Sequence, residues 1–219
     1  MIKTPQDQLT SVDWNNVRVA KEKAIPLMIA EEKEGRSTIY NRESLIHVRQ
    51  KLGEGTVGAE IGVWCGDLSV LMLDWFKPTK LYLVDPWKLY PDFEHELDMA
   101  KFDRVTQSQY FKQDEFDRMH KYTVDRFVGN NIVDIRRGMS EDVVKEIPDS
   151  SIDWVYIDGS HTEKYVYRDL VGWWPKIKIG GVLCGHDFLF DGIPPALKQF
   201  SSETGVEVWP YGSDWWIDK

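Results

Sequence analysis

Four side chains of this sequence stand where proton transfer could be carried out. Asp158 follows the apolar run Trp154-Val155-Tyr156-Ile157, His161 comes shortly after it, and His186-Asp187 follow Val182-Leu183-Cys184-Gly185. An imidazole titrates close to neutral pH, so His161 suits a general base; the plainer reading is a histidine bonding the start of the next helix. A second group lies upstream, in Gly58-Ala59-Glu60-Ile61-Gly62-Val63-Trp64-Cys65-Gly66. Its glycines suit a nucleotide-holding turn, yet Trp64 occupies the place where a pyrophosphate turn needs its middle glycine. Asp85 closes the run Leu81-Tyr82-Leu83-Val84, where a carboxylate either accepts both hydroxyls of a ribose or serves as a cap or turn former.

The runs that carry these residues are short, β-branched or aromatic, and bounded by Asp or Gly. They predict strands over 56–61, 80–84, 131–135, 152–157 and 181–184. Helical patterns fill the gaps at 67–76, within 93–127, at 141–147 and at 162–174, with a further helix near 42–52. Pro78, Pro148 and Pro175 stand just past three of these, and Ser140 before Glu141 reads as an N-cap with an acidic first turn. Strand–helix alternation predicts a doubly wound α/β fold with a mostly parallel sheet. Two runs at 206–209 and 215–217, around Pro-Tyr-Gly-Ser-Asp, predict a closing antiparallel hairpin. Residues 1–55 read as a helical arm or cap, 56–219 as the main domain, and 91–128 as a helical insertion or lid.

In open α/β sheets, ligands bind beyond the carboxyl ends of the strands. A ligand without phosphates has no need of the glycine that Trp64 replaces. S-adenosylmethionine (SAM) is such a ligand, and Glu60 suits its positive charge better than a phosphate. In order along the chain stand Glu-Ile-Gly-Val-Trp-Cys-Gly, Leu-Val-Asp-Pro-Trp, Arg-Gly-Met-Ser-Glu-Asp, Tyr-Ile-Asp-Gly-Ser-His and Gly-Gly-Val-Leu-Cys-Gly-His-Asp. Over about residues 56–190 this set resembles the class I SAM-dependent methyltransferases. The nearest likeness is to a small branch with "DPW" and "IDG-x-H" signatures, which includes sugar and natural-product O-methyltransferases; the glycine turn also resembles that of catechol O-methyltransferase. The resemblance implies a Rossmann-like, seven-stranded sheet and SAM as cofactor. It places Glu60, Gly62 and Gly66 around the methionine part, with Trp64 among the cofactor-binding residues, Asp85 on the ribose, and Gly138, Met139, Ser140 and Glu141 beside adenine. Asp158 would border the cofactor, and Trp87 would either stack on the base or fill the core.

The acceptor implied is a small hydroxylated molecule such as a sugar, and an alcohol needs a base or a metal ion to become a good nucleophile. His161 and Asp158 are the catalytic candidates. In metal-dependent O-methyltransferases the corresponding positions supply the ion's ligands, so Asp158, His186 and Asp187 would hold one divalent cation, Mg²⁺ or another. Those enzymes carry Asp at the first site and Asp-Asn or Asp-Asp at the second; His186 replaces the first residue of that second pair and softens the site. The competing reading makes Asp158 and Asp187 caps or turn residues, with His186 on the wall of the cleft. Two other functions fit a nucleotide turn: a dinucleotide-dependent oxidoreductase and a non-catalytic nucleotide-binding protein.

The bulk properties narrow the field. The 219 residues suit one domain with an arm, 42% hydrophobic and 29% charged. A net charge of −9 disfavours nucleic acid as partner. No apolar run approaches the roughly 20 residues of a membrane span, and MIKTPQDQLT has no apolar signal core, which predicts a cytoplasmic protein. Cys65 and Cys184 lie in apolar segments and read as buried free thiols. A homo-oligomer is compatible with all of this.

Overall fold

Among the described residues, short strands alternate with helices from residue 43 onward. The computed structural model describes Val12, Trp14, residues 42–88 and residues 112–219. In chain order these form α1 (Glu43–Leu52), β1 (Val57–Ile61), α2 (Asp67–Phe76), β2 (Lys80–Asp85), α3 (Gln113–Arg126), β3 (Val133–Arg137) and α4 (Ser140–Val143). Then follow β4 (Ile152–Ile157), α5 (Glu163–Trp173), β5 (Ile177–Gly185), α6 (Ile193–Thr204), β6 (Trp209–Tyr211) and β7 (Asp214–Asp218). Most of the expected arm at 1–55, and 91–111 of the expected lid, fall outside the described residues.

The strands make one seven-stranded sheet in the order β3-β2-β1-β4-β5-β7-β6. β3 through β5 pair in parallel, and β7 runs antiparallel between β5 and β6. The expected doubly wound Rossmann-like architecture with a terminal antiparallel hairpin is therefore present. Strand order reverses between β1 and β4, so their carboxyl ends form the switch point where such sheets hold ligands.

Alternation along the strands builds a core on each face. Trp154 and Tyr156 of β4 join Leu81, Leu83, Met72, Phe76 and Leu45 on one face, under α1, α2 and α3. Val155 and Ile157 join Ala59, Val166, Leu170, Trp173 and Leu197 on the other, under α4, α5 and α6. Burial on both faces is why these strands read as continuous apolar runs.

Local chemistry moves some boundaries. β3 begins at Val133, two residues after the expected start, because Asn130 forms a turn: its side-chain oxygen accepts from the Ile132 N–H at 3.1 Å. The hairpin turn sits at Gly212-Ser213, and Pro210 lies inside β6. β6 is an edge strand, where a residue without an N–H is tolerated. Ser140 is not an N-cap; Met139 holds that place and Ser140 is the first helical residue, its hydroxyl turned elsewhere. Pro175 does not end the chain's turning but sits within a 3₁₀ turn, Trp174–Lys176, that leads into β5. No helix among the described residues is long and apolar enough to cross a membrane. Both cysteines are free; the Cys184 thiol donates to the Val155 carbonyl at 3.3 Å in the core.

Candidate active site

The turn after β1 is shaped by two glycines in the left-handed region. Gly62, at φ 91°, sits so close to β4 that a Cβ there would lie 2.3 Å from the Asp158 carbonyl oxygen. Gly66, at φ 74°, caps α2, and its missing side chain makes room for the Phe127 ring. Between them Trp64 adopts φ 55°, a conformation that costs a bulky residue about 1–3 kcal/mol and marks sites that the surroundings hold in place. Its indole is 48% exposed at the edge of the turn, while its carbonyl accepts from Trp87 Nε1 at 2.8 Å.

Asp85 is the centre of this turn. Its carboxylate accepts from the N–H groups of Val63 at 2.8 Å, Trp64 at 3.0 Å and Trp87 at 2.6 Å. Burial raises its pKa against the pull of those bonds. The amides that would cradle a pyrophosphate are thus engaged by a carboxylate, which would also repel one. Glu60 lies behind the turn, 1% exposed, accepting the hydroxyl of Ser69 from α2. Burial pushes its carboxyl up to about 8, so it is largely neutral at pH 7 until a cation approaches.

Beyond β3, the Gly138 N–H donates to the Asp85 carbonyl at 3.1 Å, which ties the expected adenine segment to the ribose-side turn. Met139 is half-buried. The Ser140 hydroxyl points into the core, accepting from Trp173 Nε1 at 2.8 Å, so only its backbone can face a ligand. Trp87 is 1% exposed, with its ring 4.7 Å from that of His120; of the two readings of this residue, the structure selects the core one.

The carboxyl ends of β4 and β5 bring Asp158, His161, His186 and Asp187 together. His186 Nδ1 lies 3.0 Å from Asp187 Oδ1 and 3.9 Å from Asp158 Oδ1. The other oxygen of Asp187 lies 2.7 Å from His161 Nε2, and the His161 ring stacks on Phe190 at 4.2 Å. Burial opposes ionisation of Asp187, but its bonds to His161 and His186 outweigh it and hold the carboxylate well below its usual range. Asp158 goes the other way: burial raises it, against the pull of His186 and Arg42. Asp187 itself sits at φ 60°, in the left-handed region that Trp64 and Trp87 also occupy at this edge.

Two residues outside the expected set complete the cluster. Arg42, just before α1, places Nη2 3.3 Å from Asp158 Oδ2. Asp214, at the start of β7, is 1% exposed and lies 3.7 Å from His186 Nε2 and 4.0 Å from Arg42 Nη1. Nothing local in the sequence marks either one; Asp214 reads as a turn residue and Arg42 as a helix start.

One donor atom each from Asp158, His186 and Asp187 can be chosen so that all lie within 4.8 Å of one another. That spacing fits a single ion bonded to each at roughly 2.0–2.4 Å, and one nitrogen with two oxygens suits Mn²⁺ or Zn²⁺ as well as Mg²⁺.

A parallel sheet in this order, closed by an antiparallel hairpin, is the fold of a class I methyltransferase. The chain belongs to the methyltransferase-domain family, whose pattern matches residues 59–188, more than half of it. Methylation from SAM is the chemistry of that family. Among solved structures, the chain is similar to the O-methyltransferase NovP, at 14% identity over 80% of this chain and 78% of that one, with a TM-score of 0.57. It is also similar to a Corynebacterium glutamicum protein, at 16% identity over 98% and 93% of the two chains, TM-score 0.56. A precorrin-8w decarboxylase from Methanobacterium thermoautotrophicum matches at 14% identity over 79% and 84%, TM-score 0.50. At these identities the likeness is one of fold.

Proposed function

We propose that this methyltransferase transfers the SAM methyl group to a hydroxyl of a small polar acceptor, such as a sugar, at the edge formed by Asp158, His161, His186 and Asp187. The observation that carries this reading is the contact of Gly62 with the Asp158 backbone. That contact brings the glycine turn after β1 close to Asp158, which supports reading the turn as the donor side and the β4–β5 edge as the acceptor side. The solved O-methyltransferase of similar fold is in keeping with it.

SAM would lie against the turn from Gly62 to Gly66, its cationic end toward Glu60 and its ribose toward the Asp85 carboxylate. Met139 and the Ser140 backbone would border the adenine. His161 takes the acceptor's proton while Asp187, bonded to its Nε2, orients the ring and stabilises the imidazolium. The acceptor oxygen attacks the methyl carbon in line, and the C–S bond breaks with its electron pair going to sulfur. S-adenosylhomocysteine leaves neutral. Positioning supplies most of the acceleration in such a displacement. Asp158, His186 and Asp187 would hold a divalent cation, which when bound lowers the pKa of the acceptor hydroxyl and orients it.

The test is S-adenosylhomocysteine formation with a panel of sugars and other small polyols, with and without EDTA. Turnover with at least one polyol supports the reading; activity lost in EDTA and restored by Mn²⁺ or Mg²⁺ supports the ion. Absence of SAM binding, or binding of NAD in its place, overturns the whole assignment.

A further inference from the structure

We propose that Arg42 is a positioning residue for Asp158, and that its guanidinium exchanges Asp158 for Asp214 when a divalent cation is bound at Asp158, His186 and Asp187. The inference rests on the metal reading above and concerns residues to which the sequence patterns give no role in the site.

Among the described residues, four buried side-chain polar atoms have no hydrogen-bond partner: Arg42 Nε, Arg42 Nη1, Tyr156 Oη and Asp214 Oδ1. All four belong to residues that meet around one point. The guanidinium lies over the Tyr156 ring, 5.9 Å from its centroid, with one nitrogen 3.3 Å from Asp158 and another 4.0 Å from Asp214. A buried polar group left unpaired forfeits its hydration without a replacement bond, so this is a poorly satisfied resting place for a side chain that is only 12% exposed. Closing the gap to Asp214 requires a shift of roughly 1 Å to reach hydrogen-bonding distance.

Asp214 is built to receive it. Its Oδ2 accepts from both the Ser44 N–H at 2.9 Å and the Ser44 hydroxyl at 2.7 Å, which fixes the carboxylate to the first turn of α1 and leaves Oδ1 facing Arg42 and His186. A guanidinium and a divalent cation compete for the same Asp158 carboxylate and repel one another at close range. With the cation bound, Arg42 is better placed on Asp214. The helix and the hairpin at opposite ends of the chain thereby set the affinity of a site that lies on neither.

The experiment is Mn²⁺ binding by the full-length protein, read by electron paramagnetic resonance and by calorimetry without acceptor present. Arg42→Met is expected to bind Mn²⁺ roughly tenfold more tightly or better, having lost the competing charge. Asp214→Asn, which can still accept from Ser44, is expected to bind it severalfold more weakly, since Arg42 has lost its alternative partner. In the double variant the Asp214→Asn effect is expected to shrink to about twofold or less. Arg42→Lys, with the charge retained, should remain near wild type. Should Arg42→Met not fold, Arg42→Gln removes the same charge and carries the same expectation. Wild-type Mn²⁺ affinity in the charge-removed variant overturns the proposal and leaves the metal site standing. An Asp214→Asn effect undiminished in the double variant also overturns it, because Asp214 would then act through His186. No Mn²⁺ binding by any variant, with SAM still bound, removes the metal reading and this one together.

Discussion

Individual carboxyl groups in this cleft are set in opposite senses by their surroundings. Glu60 is buried with the Ser69 hydroxyl donating to it, and burial outweighs that bond, so its pKa rises from 4.5 to about 8. A carboxyl whose folded-state pKa lies above its unfolded value holds its proton more tightly when folded. Its favourable contribution is complete below about pH 4.5 and is lost as the pH climbs through about 8. Glu60→Gln cannot ionise, so the stability difference between variant and wild type should grow in the variant's favour from about pH 5 to about pH 9. The growth should reach a few kcal/mol, on the order of 1.4 kcal/mol per unit of pKa difference. Urea unfolding at both pH values measures it, and a pH-independent difference would refute the burial argument. For His161, whose Nε2 is held by Asp187, His161→Ala should lower kcat about 10²–10⁴-fold while leaving the SAM dissociation constant unchanged. A loss of SAM binding instead would make His161 part of the donor site.

Elements meet in this structure where backbone approaches backbone. The turn after β1 can lie against the end of β4 only because residue 62 has no side chain, and its φ of 91° also disfavours any other residue. Gly62→Ala should therefore destabilise the fold by about 3–5 kcal/mol, strain and clash together, lowering Tm by roughly 10 °C. Gly66→Ala meets the Phe127 ring at 2.9 Å, a side chain that can yield, and should cost clearly less. Calorimetric scans of the two variants decide; equal losses would mean that the β1–β4 contact has no special rigidity. The same scale shows why some boundaries were not legible. Pro210 forbids a central strand but not an edge strand, and only the pairing of β6 with β7 reveals which it occupies. Ser140 carries the local signature of a cap, but Trp173 of α5 supplies a buried donor that takes its hydroxyl inward.

For the molecule as a whole, the decisive property is which ligand stabilises the native state. A ligand bound only by the folded chain adds about 2.7 kcal/mol at a hundredfold excess over its dissociation constant. SAM should accordingly raise Tm by about 5–10 °C, and NAD should raise it not at all. A shift with NAD alone would show that the engagement of the Val63 and Trp64 amides by Asp85 gives way to phosphate.

The sequence by itself determined the strand–helix alternation, the closing antiparallel hairpin, and the positions of Glu60, Gly62, Gly66, Asp85, Asp158, His161, His186 and Asp187 at or just past strand ends. Those follow from local rules, because the period of side-chain burial and the φ demanded at a glycine are written within a few residues. Tertiary structure alone decided that Asp85 closes the turn upon itself, that Trp87 and the Ser140 hydroxyl belong to the core, and that Asp187 is shared by two histidines. It also decided that Arg42 and Asp214, 172 positions apart in the chain, face the same cleft. Charges and hydrogen bonds act over a few ångströms regardless of separation along the chain, and that proximity exists only once the sheet has assembled.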